Sequence, residues 1–266
     1  MGLNLAGKRV LVTGASSGIG AGLAEAFAQK GAVVGICARR RDRLAEVLDK
    51  CRRHSPESAM WITDLADFDA VDRLAEEVVD AFGGIDVLVN NAGIPKRRHV
   101  TRLDPATVEA VMRINYLSPV RLTLALLPQM LDREEGRVVN ISSVAAPLSS
   151  PGEAAYDASK AALTAFSEAM AIDLWHTGVK VMTVYPGVID TELFTLPDND
   201  PLVTGVEAQP VSDLVDAVLE GLANDAVQVY VPSWFVDIVT GKFQNLEGFM
   251  SGAADFVRQA KAETGK

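Results

Sequence analysis

Short apolar segments alternate along the chain with longer amphipathic ones. The short segments are rich in Val, Ile and Leu at consecutive positions, and they occupy residues 9–13, 33–37, 59–62, 86–90, 137–141, 180–184 and 227–231. A strand that is apolar at consecutive positions has both faces covered, which is typical of a parallel sheet packed between helices. We therefore predict a strand at each of these places.

The segments between the strands repeat apolar residues every three or four positions, as an amphipathic helix does. The predicted helices occupy residues 19–30, 41–53, 68–82, 106–131, 155–176 and 212–223. Strands that alternate with helices of this length predict an α/β fold of three layers, with a parallel sheet between two layers of helices.

The chain of 266 residues contains no internal repeat, low-complexity tract or change in composition that marks a linker. We predict one α/β domain over residues 1–266, because this length suits a single large core.

The least regular segment, residues 190–210, contains three prolines. Since ligands bind at the carboxyl ends of parallel strands, we expect about residues 188–210 to cover the substrate, with a merely irregular connection as the alternative.

The composition excludes several classes of protein. Apolar residues make up 48% of the chain, yet no apolar run reaches the roughly 18 residues of a membrane span. With 25 basic and 35 acidic residues, the net charge of −10 disfavours nonspecific binding to nucleic acid or anionic membranes. We predict no nucleic-acid partner and no stable membrane insertion, and we interpret the basic run Lys96-Arg97-Arg98-His99 as a solvated loop.

The first ten residues lack the basic and apolar parts of a signal peptide. Cys37 and Cys51 are too few for a disulfide framework. Both features favour a cytoplasmic location. His54, His99 and His176 are widely separated without the spacing of metal ligands, so we expect no metal site.

A glycine-rich segment, Thr13-Gly-Ala-Ser-Ser-Gly-Ile-Gly20, lies between the first predicted strand and the first predicted helix. Glycines at such a place permit a tight turn and let backbone amides approach a pyrophosphate at the positive end of the helix. The segment therefore predicts a dinucleotide site. A P-loop is excluded because no Gly-Lys-Ser/Thr follows.

The choice of cofactor is predicted from the end of the second strand. A dinucleotide-binding fold carries there an acid for a ribose 2′-hydroxyl or an Arg for a 2′-phosphate. This chain has Ala38-Arg39-Arg40-Arg41 and no carboxylate until Asp42. We predict NADP(H) as the preferred cofactor, with Arg39 as the first phosphate partner and Arg40 as the second. NAD(H) is the alternative, and the arginines would then merely begin a solvated helix.

Tyr156 and Lys160 are four residues apart, so one helical turn places them on the same face. A free phenol has a pKa of about 10, and a nearby cation lowers the pKa by stabilising the phenolate. The pair therefore predicts proton transfer to and from an oxygen at neutral pH. A solvated pair without chemistry is the alternative.

These motifs together resemble the short-chain dehydrogenase/reductase family over about the first 190 residues. The resemblance is carried by residues 13–20, Asn90-Asn-Ala-Gly93, Asn115, Ser143, Tyr156, Lys160 and Pro186-Gly187. It implies a Rossmann fold with a doubly wound sheet of seven parallel strands in one domain. It also implies an enzyme that uses NAD(P) to interconvert alcohols and carbonyls, with a small-molecule carbonyl or alcohol as substrate.

The resemblance implies a catalytic role for four residues. Tyr156 would be the general acid and base, and Lys160 would lower its pKa and hold the nicotinamide ribose. Ser143 would bind the substrate oxygen, whereas Ser142 is less suited because adjacent strand residues face opposite ways. Asn115 would hold a water that links Lys160 to solvent.

The resemblance also implies the cofactor contacts. Asp64 and Leu65 would contact the adenine, Asn90 the adenosine-side ribose, and Ile189 and Thr191 the nicotinamide carboxamide. The predicted cofactor-binding residues are Gly14, Ser16, Ser17, Gly18, Ile19, Gly20, Arg39, Arg40, Asp64, Leu65, Asn91, Ala92, Gly93, Tyr156, Lys160, Pro186, Gly187, Ile189 and Thr191.

The C-terminal segment departs from the family pattern. Many tetrameric members end in a strand and a short segment at a subunit interface, whereas here a tail of about residues 232–266 carries Phe249 and Phe256. We therefore expect a homo-oligomer that is a dimer rather than a tetramer, formed through helices 106–131 and 155–176. The tail loosely resembles that of members acting on lipid-like compounds, so we expect a hydrophobic substrate, although its aromatic residues could simply cover the core.

A second class of function stays open on the sequence alone. A protein of this family could bind NADP(H) as a sensor or scaffold without turnover. The presence of Ser143, Tyr156 and Lys160 together disfavours that interpretation.

Overall fold

The structure is a computed structural model that describes residues 3–264. Residues 1 and 2 of the predicted domain and residues 265 and 266 of the predicted tail lie outside the described residues. No helix within the described range is long and apolar enough to cross a membrane.

Seven parallel strands form one sheet within residues 3–264. They are β1 (Arg9–Thr13), β2 (Val33–Ala38), β3 (Ala59–Ile62), β4 (Val87–Asn90), β5 (Gly136–Ile141), β6 (Val179–Pro186) and β7 (Gln228–Val231). Their order in the sheet is β3-β2-β1-β4-β5-β6-β7, so the chain winds outward in both directions from β1 and β4. The predicted doubly wound Rossmann fold is confirmed.

Helices cover both faces of the sheet. They are α1 (Gly18–Gln29), α2 (Arg41–Arg52), α3 (Phe68–Phe82), α4 (Pro105–Met112), α5 (Ser118–Asp132), α6 (Ala145–Leu148), α7 (Ala154–Asp173), α8 (Val211–Ala223), α9 (Phe235–Gln244) and α10 (Leu246–Thr264). Two separate apolar clusters form the core: one includes residues of α1, α2 and α8, and the other includes residues of α3, α5 and α7. Strands β1 to β6 contribute to both clusters, which explains their continuous apolar sequence, whereas β7 at the edge of the sheet contributes to the first cluster alone.

Local chemistry sets the bounds of α3, whose ends agree with the predicted helix. The carboxylate of Asp67 accepts hydrogen bonds from the backbone N–H groups of Asp69 at 3.0 Å and Ala70 at 3.3 Å. Gly83 ends the helix with a φ of 67°, a left-handed conformation that glycine adopts without a steric cost. Capping and termination thus fix both ends of this helix.

The predicted helix over residues 106–131 is interrupted in the structure. A π-helical turn, Arg113–Leu117, separates α4 from α5. Pro119 has no N–H and cannot donate the α-helical hydrogen bond to the carbonyl of Asn115. A wider turn of this kind is often found at functional sites, and here it contains the predicted site residue Asn115.

The predicted tail forms the helices α9 and α10. Phe235 at the start of α9 is buried against Gly187, whereas Phe243 at its end is exposed. The ring of Phe256 on α10 lies against Gly205 in the segment that follows β6. The tail therefore contacts the predicted substrate loop rather than only the edge of the sheet.

Candidate active site

A cavity of about 580 Å³ lies beside the carboxyl ends of β1, β4, β5 and β6. Most of the predicted site residues line it: Gly14, Ser16, Ser17, Gly18, Ile19, Arg39, Arg40, Asp64, Leu65, Asn91, Ala92, Gly93, Ser143, Tyr156, Lys160, Pro186, Gly187, Ile189 and Thr191. Gly20 and Asn115 lie behind its wall. The fold thus brings together residues that are up to 177 positions apart in sequence, from Gly14 to Thr191.

The turn between β1 and α1 requires glycine for two reasons. Gly14 has a φ of 66°, and a Cβ placed there would lie 2.7 Å from the Cα of Ala92. A Cβ on Gly20 would lie 2.5 Å from the Nδ2 atom of Asn91. The close approach keeps the first turn of α1 compact, and its N–H groups form the kind of positive helix end that holds a pyrophosphate. This cradle fits a dinucleotide.

The segment after β4 is tied to that turn. The hydroxyl of Thr13 accepts hydrogen bonds from the backbone N–H groups of Asn91 at 2.9 Å and Ala92 at 3.1 Å. Asn90, in contrast, is buried and donates to Thr123 and Asn140. Its side chain therefore holds neighbouring elements together and does not line the cavity. The contact of Asn90 with the ribose and the neighbouring backbone, which the resemblance implies, stays a prediction.

Tyr156 and Lys160 lie one turn apart on α7, as their spacing predicts. The Nζ atom of Lys160 lies 5.7 Å from the centroid of the Tyr156 ring and donates a hydrogen bond of 2.8 Å to the carbonyl oxygen of Ile141. Burial lowers the pKa of the Lys160 ammonium to about 8. The pair lies in the cavity wall, and the solvated alternative does not apply to Lys160, which is buried.

The pKa of Tyr156 differs from the expectation. Burial raises the pKa of this phenol above its ordinary value, and the charge of Glu153 raises it further. The neighbouring Ser143 hydroxyl acts in the opposite direction. The Lys160 ammonium is directed to the carbonyl of Ile141 and is itself desolvated.

Ser142 and Ser143 follow the end of β5 and both line the cavity, but their hydroxyls have different partners. The Ser142 hydroxyl is buried against α7, where it donates to the carbonyl of Lys160 at 3.2 Å and lies 2.9 Å from the Thr164 hydroxyl. The Ser143 hydroxyl accepts a hydrogen bond from the backbone N–H of Ala145 at 3.1 Å. Ser143 lies in the cavity beside Tyr156 and is placed to contact a substrate.

Asn115 is fully buried, and its side chain joins two parts of the site. Its Oδ1 atom accepts from the backbone N–H of Ile94 at 2.9 Å, and its Nδ2 atom donates to the Ile94 carbonyl and to Ser159, each at 3.0 Å. Gly93 leaves room for this arrangement, since a Cβ there would lie 3.3 Å from Asn115 Oδ1. The water relay implied for Asn115 stays a prediction.

Two arginines at the predicted phosphate position behave differently. Arg39 is exposed, and within residues 3–264 no hydrogen bond or ion pair engages its side chain. Arg40 donates to the hydroxyls of Ser17 at 2.7 Å and Ser16 at 3.0 Å. It also pairs with Glu192 at 2.5 Å. The Arg40 side chain thus crosses the glycine-rich turn.

Glu192 and Arg43 are site residues that sequence reasoning missed. The Glu192 carboxylate contacts Arg40, Arg43 at 2.5 Å and the Ser17 hydroxyl at 2.6 Å. These contacts, led by the hydrogen bond from Arg40, lower the pKa of Glu192 to about 2. The basic residues after β2 were a usable signal, but nothing in the sequence connects them with an acid about 150 positions later.

The interpretation of residues 96–99 as a solvated loop is wrong for Arg97. This guanidinium is 3% exposed and donates to the carbonyls of Phe194 and Asp200, each at 3.0 Å. Lys96 and Arg98 both pair with Asp198. The basic run is therefore bound to the segment that follows β6, and acidic residues in that segment neutralise it.

The segment after β6 closes one side of the cavity. Ile189 forms a parallel bridge with Gln209, and Glu192–Phe194 forms a short 3₁₀-helix. Thr191 lies against Gly18, where a Cβ would come within 3.0 Å of the Thr191 methyl group. This segment is irregular, as expected, and it lies over the cavity. Among the described residues, no group of His, Cys, Asp and Glu side chains is arranged to hold a metal.

A doubly wound sheet with a glycine turn and a Tyr-Lys pair in one cavity defines an oxidoreductase that uses a nicotinamide dinucleotide. A family model described as short chain dehydrogenase matches residues 8–200. The chain belongs to the short-chain dehydrogenase family.

Two proteins of similar sequence agree with this assignment to the family. The chain is 38% identical over 197 residues to a short chain dehydrogenase from Pseudocercospora fijiensis, a match that covers 71% of this chain and 62% of that protein. It is also 38% identical over 216 residues to a fatty acyl-CoA reductase from Mycobacterium tuberculosis, covering 77% of this chain and 72% of the relative. The first of these matches spans less than two thirds of its relative.

Solved structures share the fold. A short-chain dehydrogenase from Sphingobium yanoikuyae in complex with NADPH matches with a TM-score of 0.79 and 31% identity, covering 91% of this chain and 95% of that one. A short chain dehydrogenase/reductase from Burkholderia phymatum in complex with NAD matches with a TM-score of 0.84 and 23% identity, covering 92% and 96%; this second likeness concerns the fold alone. A nicotinamide cofactor is supported, and these neighbours do not distinguish NADP(H) from NAD(H).

Proposed function

We propose that the protein is an NADP(H)-dependent oxidoreductase that interconverts a carbonyl and an alcohol on a hydrophobic small molecule. One observation carries this proposal. A single cavity has the glycine-rich turn and Arg39 at one end, and Ser143, Tyr156 and Lys160 at the other. A dinucleotide held by the turn can extend through the cavity to the residues that handle protons.

We assign the proton transfer to the Oη atom of Tyr156. Because its pKa is raised, the phenol is protonated at neutral pH, which suits donation to a carbonyl oxygen. Ser143 orients that oxygen by a hydrogen bond, and Lys160 supplies positive charge one turn away. When bound, the nicotinamide supplies or accepts the hydride at the reacting carbon.

We assign the 2′-phosphate of the cofactor to the arginines after β2. Arg39 is available for such a group, since its side chain engages no other described residue. Arg40 already lies over Ser16 and Ser17, where its guanidinium holds the Glu192 carboxylate. That carboxylate marks a place suited to an anion. The remaining predicted cofactor residues, apart from Gly20, line the same cavity.

The walls on the substrate side support a hydrophobic substrate. Apolar side chains from the segment after β6 and from α9 line this part of the cavity, among them Leu193, Phe194, Leu196, Leu202, Val203 and Phe235. The M. tuberculosis relative named a fatty acyl-CoA reductase is consistent with a lipophilic compound. We therefore propose a substrate with an apolar body.

We further propose a homodimer in the cytoplasm. Leu124 on α5 and Ile172 on α7 are exposed, and these helices are the interface helices of the family that the sequence resembles. Cys37 and Cys51 are free and buried, which suits a reducing compartment. With a small molecule as substrate, we propose no nucleic-acid partner and no stable membrane insertion.

The cofactor assignment can be tested by measuring the Kd of NADPH and NADH by protein fluorescence. We expect wild type to bind NADPH at least about tenfold more tightly, as a charge-assisted phosphate contact predicts. Arg39→Glu should abolish or reverse that preference. Arg53→Glu, which makes the same charge change at the exposed far end of α2, is the control. Retention of the NADPH preference by Arg39→Glu would contradict the assignment.

A further inference from the structure

Arg97 is held rigidly in the wall of the cavity. Its Nε atom donates to the carbonyl of Asp200 and its Nη2 atom to the carbonyl of Phe194, each at 3.0 Å. Its backbone N–H donates to the side chain of Asn199 at 2.7 Å. Three contacts thus fix both the backbone and the guanidinium, so the direction of the remaining nitrogen is fixed as well.

The Nη1 atom of Arg97 is buried and has no hydrogen-bond partner among the described residues. The nearest acidic atom is Oε1 of Glu153, at 3.9 Å, which is beyond hydrogen-bond distance. Buried donors are nearly always paired, and a charged donor without a partner is costly. This nitrogen therefore indicates a place for an acceptor that the protein does not itself supply.

Glu153 faces the same place from the other side. It is 7% exposed, directly precedes α7 as its N-cap residue, and lies three residues before Tyr156. Burial raises the pKa of Glu153, and the guanidinium of Arg97 opposes that rise. Both groups also act on the pKa of Tyr156, in opposite directions. Arg97, Glu153 and Tyr156 all line the cavity, so the pair lies beside the proposed reaction centre.

The 3.9 Å separation of Arg97 Nη1 and Glu153 Oε1 is compatible with one bridging oxygen atom. A hydrogen-bonded oxygen lies about 2.8 Å from each partner. Because Nη1 and Oε1 are 3.9 Å apart, the two directions from that oxygen to its partners make an angle of about 90°. A hydroxyl can accept from Nη1 on one side and donate to Oε1 on the other.

Other oxygen groups fit less well. A carboxylate would bring a second negative charge to Glu153, and the single charge of Arg97 cannot neutralise both. An ether or ketone oxygen can accept from Arg97 but has no hydrogen to donate to Glu153. A group that both donates and accepts can contact both side chains at once.

We propose that Arg97 and Glu153 form a second recognition point that binds a hydroxyl group of the substrate, separate from the oxygen that meets Tyr156. This inference rests on the proposed function, since it takes Tyr156 as the reacting end of the site. The substrate is then a compound with an apolar body, a carbonyl or alcohol that reacts, and a further hydroxyl that does not.

The test compares kcat/KM among methyl hexyl ketone, its α-, β- and γ-hydroxy derivatives, their methyl ethers, and a keto acid of the same chain length. We expect at least one hydroxy ketone to exceed its methyl ether by about 10- to 100-fold, as for a hydrogen bond to a charged group. Glu153→Met should bring this ratio to within about threefold of unity. Glu168→Met, which removes an exposed acid from the same helix, should keep the wild-type ratio.

The ratio is the informative quantity. Removal of the Glu153 charge also changes the pKa of Tyr156, which affects every substrate and cancels in the comparison. The wild-type preference needs no variant, so the inference remains testable if Glu153→Met does not fold. Turnover of the parent ketone without a preference for any hydroxy derivative, or a preference for the keto acid, would overturn the inference and leave the proposed function intact.

A binding measurement separates the remaining outcomes. If no ketone is reduced, saturation-transfer NMR on the protein with NADPH reports whether a hydroxy ketone binds more tightly than its methyl ether. A preference that Glu153→Met removes supports the hydroxyl site while the proposed reaction fails. Equal binding of the two compounds, or binding of neither, overturns the hydroxyl site.

Discussion

Tyr156 lies among charges that oppose its ionisation more than they favour it. Glu153, directly before α7, and Asp157 on α7 lie within about one turn of Tyr156 and raise its pKa, whereas Arg97 and Ser143 lower it. Burial is the largest contribution and also acts upward. A raised pKa keeps the phenol protonated at neutral pH, which suits the proton donation proposed for Tyr156.

Glu153, three residues before Tyr156, should affect the pH dependence of kcat/KM for alcohol oxidation. Glu153→Gln removes a negative charge that raises the pKa of Tyr156, so the pKa of the phenol should fall. For alcohol oxidation, where Tyr156 acts as the base, the rise of kcat/KM should then move to lower pH. Glu168→Gln on the exposed face of α7 is the matched control. A shift to higher pH would contradict this account of Tyr156.

Asp157 should make stability depend on pH. Burial, followed by the charge of Glu153, raises the pKa of Asp157 from 3.8 to about 8. The folded protein therefore holds this proton more tightly than the unfolded chain, and stability is lost as the pH rises through this range. Asp157→Asn can still accept the hydrogen bond from the Ser150 backbone, which is 2.7 Å long.

Urea unfolding measures this effect. Relative to wild type, Asp157→Asn should have a larger free energy of unfolding, and so be more stable, at a pH of about 9 than at a pH of about 5. Asp173→Asn, at the exposed end of α7, should show little difference between the two conditions. The same relative free energy for Asp157→Asn at both pH values would argue against a raised pKa.

Sequence spacing predicted some residues of the site and missed others. Tyr156 and Lys160 could be paired because a helical turn is local. Arg97 and Glu192 could not be placed, because their partners lie about 100 and 150 positions away. A basic run normally faces solvent, and only the fold brings the Asp198 and Asp200 region to it. The direction of the Tyr156 pKa shift also depends on burial, which spacing does not give.

At the scale of elements, the segment after β6 joins three parts of the site. Arg97 binds its backbone, Asp198 pairs with Lys96 and Arg98, and Glu192 reaches the phosphate side through Arg40. The substrate side and the cofactor side are thus connected through one irregular segment. The Glu192 carboxylate in this segment competes with any anion for the guanidinium groups of Arg40 and Arg43.

Glu192→Gln should therefore alter cofactor affinity. The neutral side chain no longer pairs with Arg40 and Arg43, so we expect NADPH to bind about two- to fivefold more tightly, as for an exposed ion pair. NADH, which lacks the 2′-phosphate, should change less. Glu207→Gln, at an exposed position in the same segment, is the control. Equal changes for both cofactors, measured by titration calorimetry, would count against competition at the 2′-phosphate.

The regular elements were more predictable than the connections. Strands β1 to β7 could be predicted because burial on both faces requires consecutive apolar residues. The π-helical turn before α5 could not, because the apolar pattern continues through it while Pro119 changes the hydrogen bonding. Helices α9 and α10 have mixed patterns with exposed Phe243 and Met250, so periodicity alone did not define them.

At the scale of the whole molecule, one sheet is shared by two core clusters. We propose that residues 1–266 act as a single domain, since the described helices pack on this sheet or on neighbouring helices, as α4 and α6 do on α7 and α10 does on α9. The exposed apolar residues of α5 and α7 lie outside both cores. They are available for an interface between two copies of the chain.

If two copies of the chain pair through α5 and α7, the mass measured in solution should be that of a dimer. Light scattering should give twice the chain mass of 28.4 kDa for wild type. Leu124→Glu combined with Ile172→Glu should give a monomer, because a charge buried in an interface is costly. Val236→Glu on α9, also at an exposed apolar position, should remain a dimer. A monomeric wild type would refute the proposed interface.

The central claim is that Tyr156 exchanges protons in an NADP(H)-linked reaction of carbonyls and alcohols. The most direct measurement is the nicotinamide absorbance change with NADPH, NADH, NADP and NAD against a panel of aliphatic, aromatic, steroidal and sugar-like carbonyls and alcohols, for wild type and Tyr156→Phe. We predict turnover that favours the phosphorylated cofactor and falls by at least about a thousandfold in Tyr156→Phe, which should still bind NADPH. Tight NADPH binding without turnover of any compound, or a Tyr156→Phe variant that retains a tenth of the activity, would contradict the account.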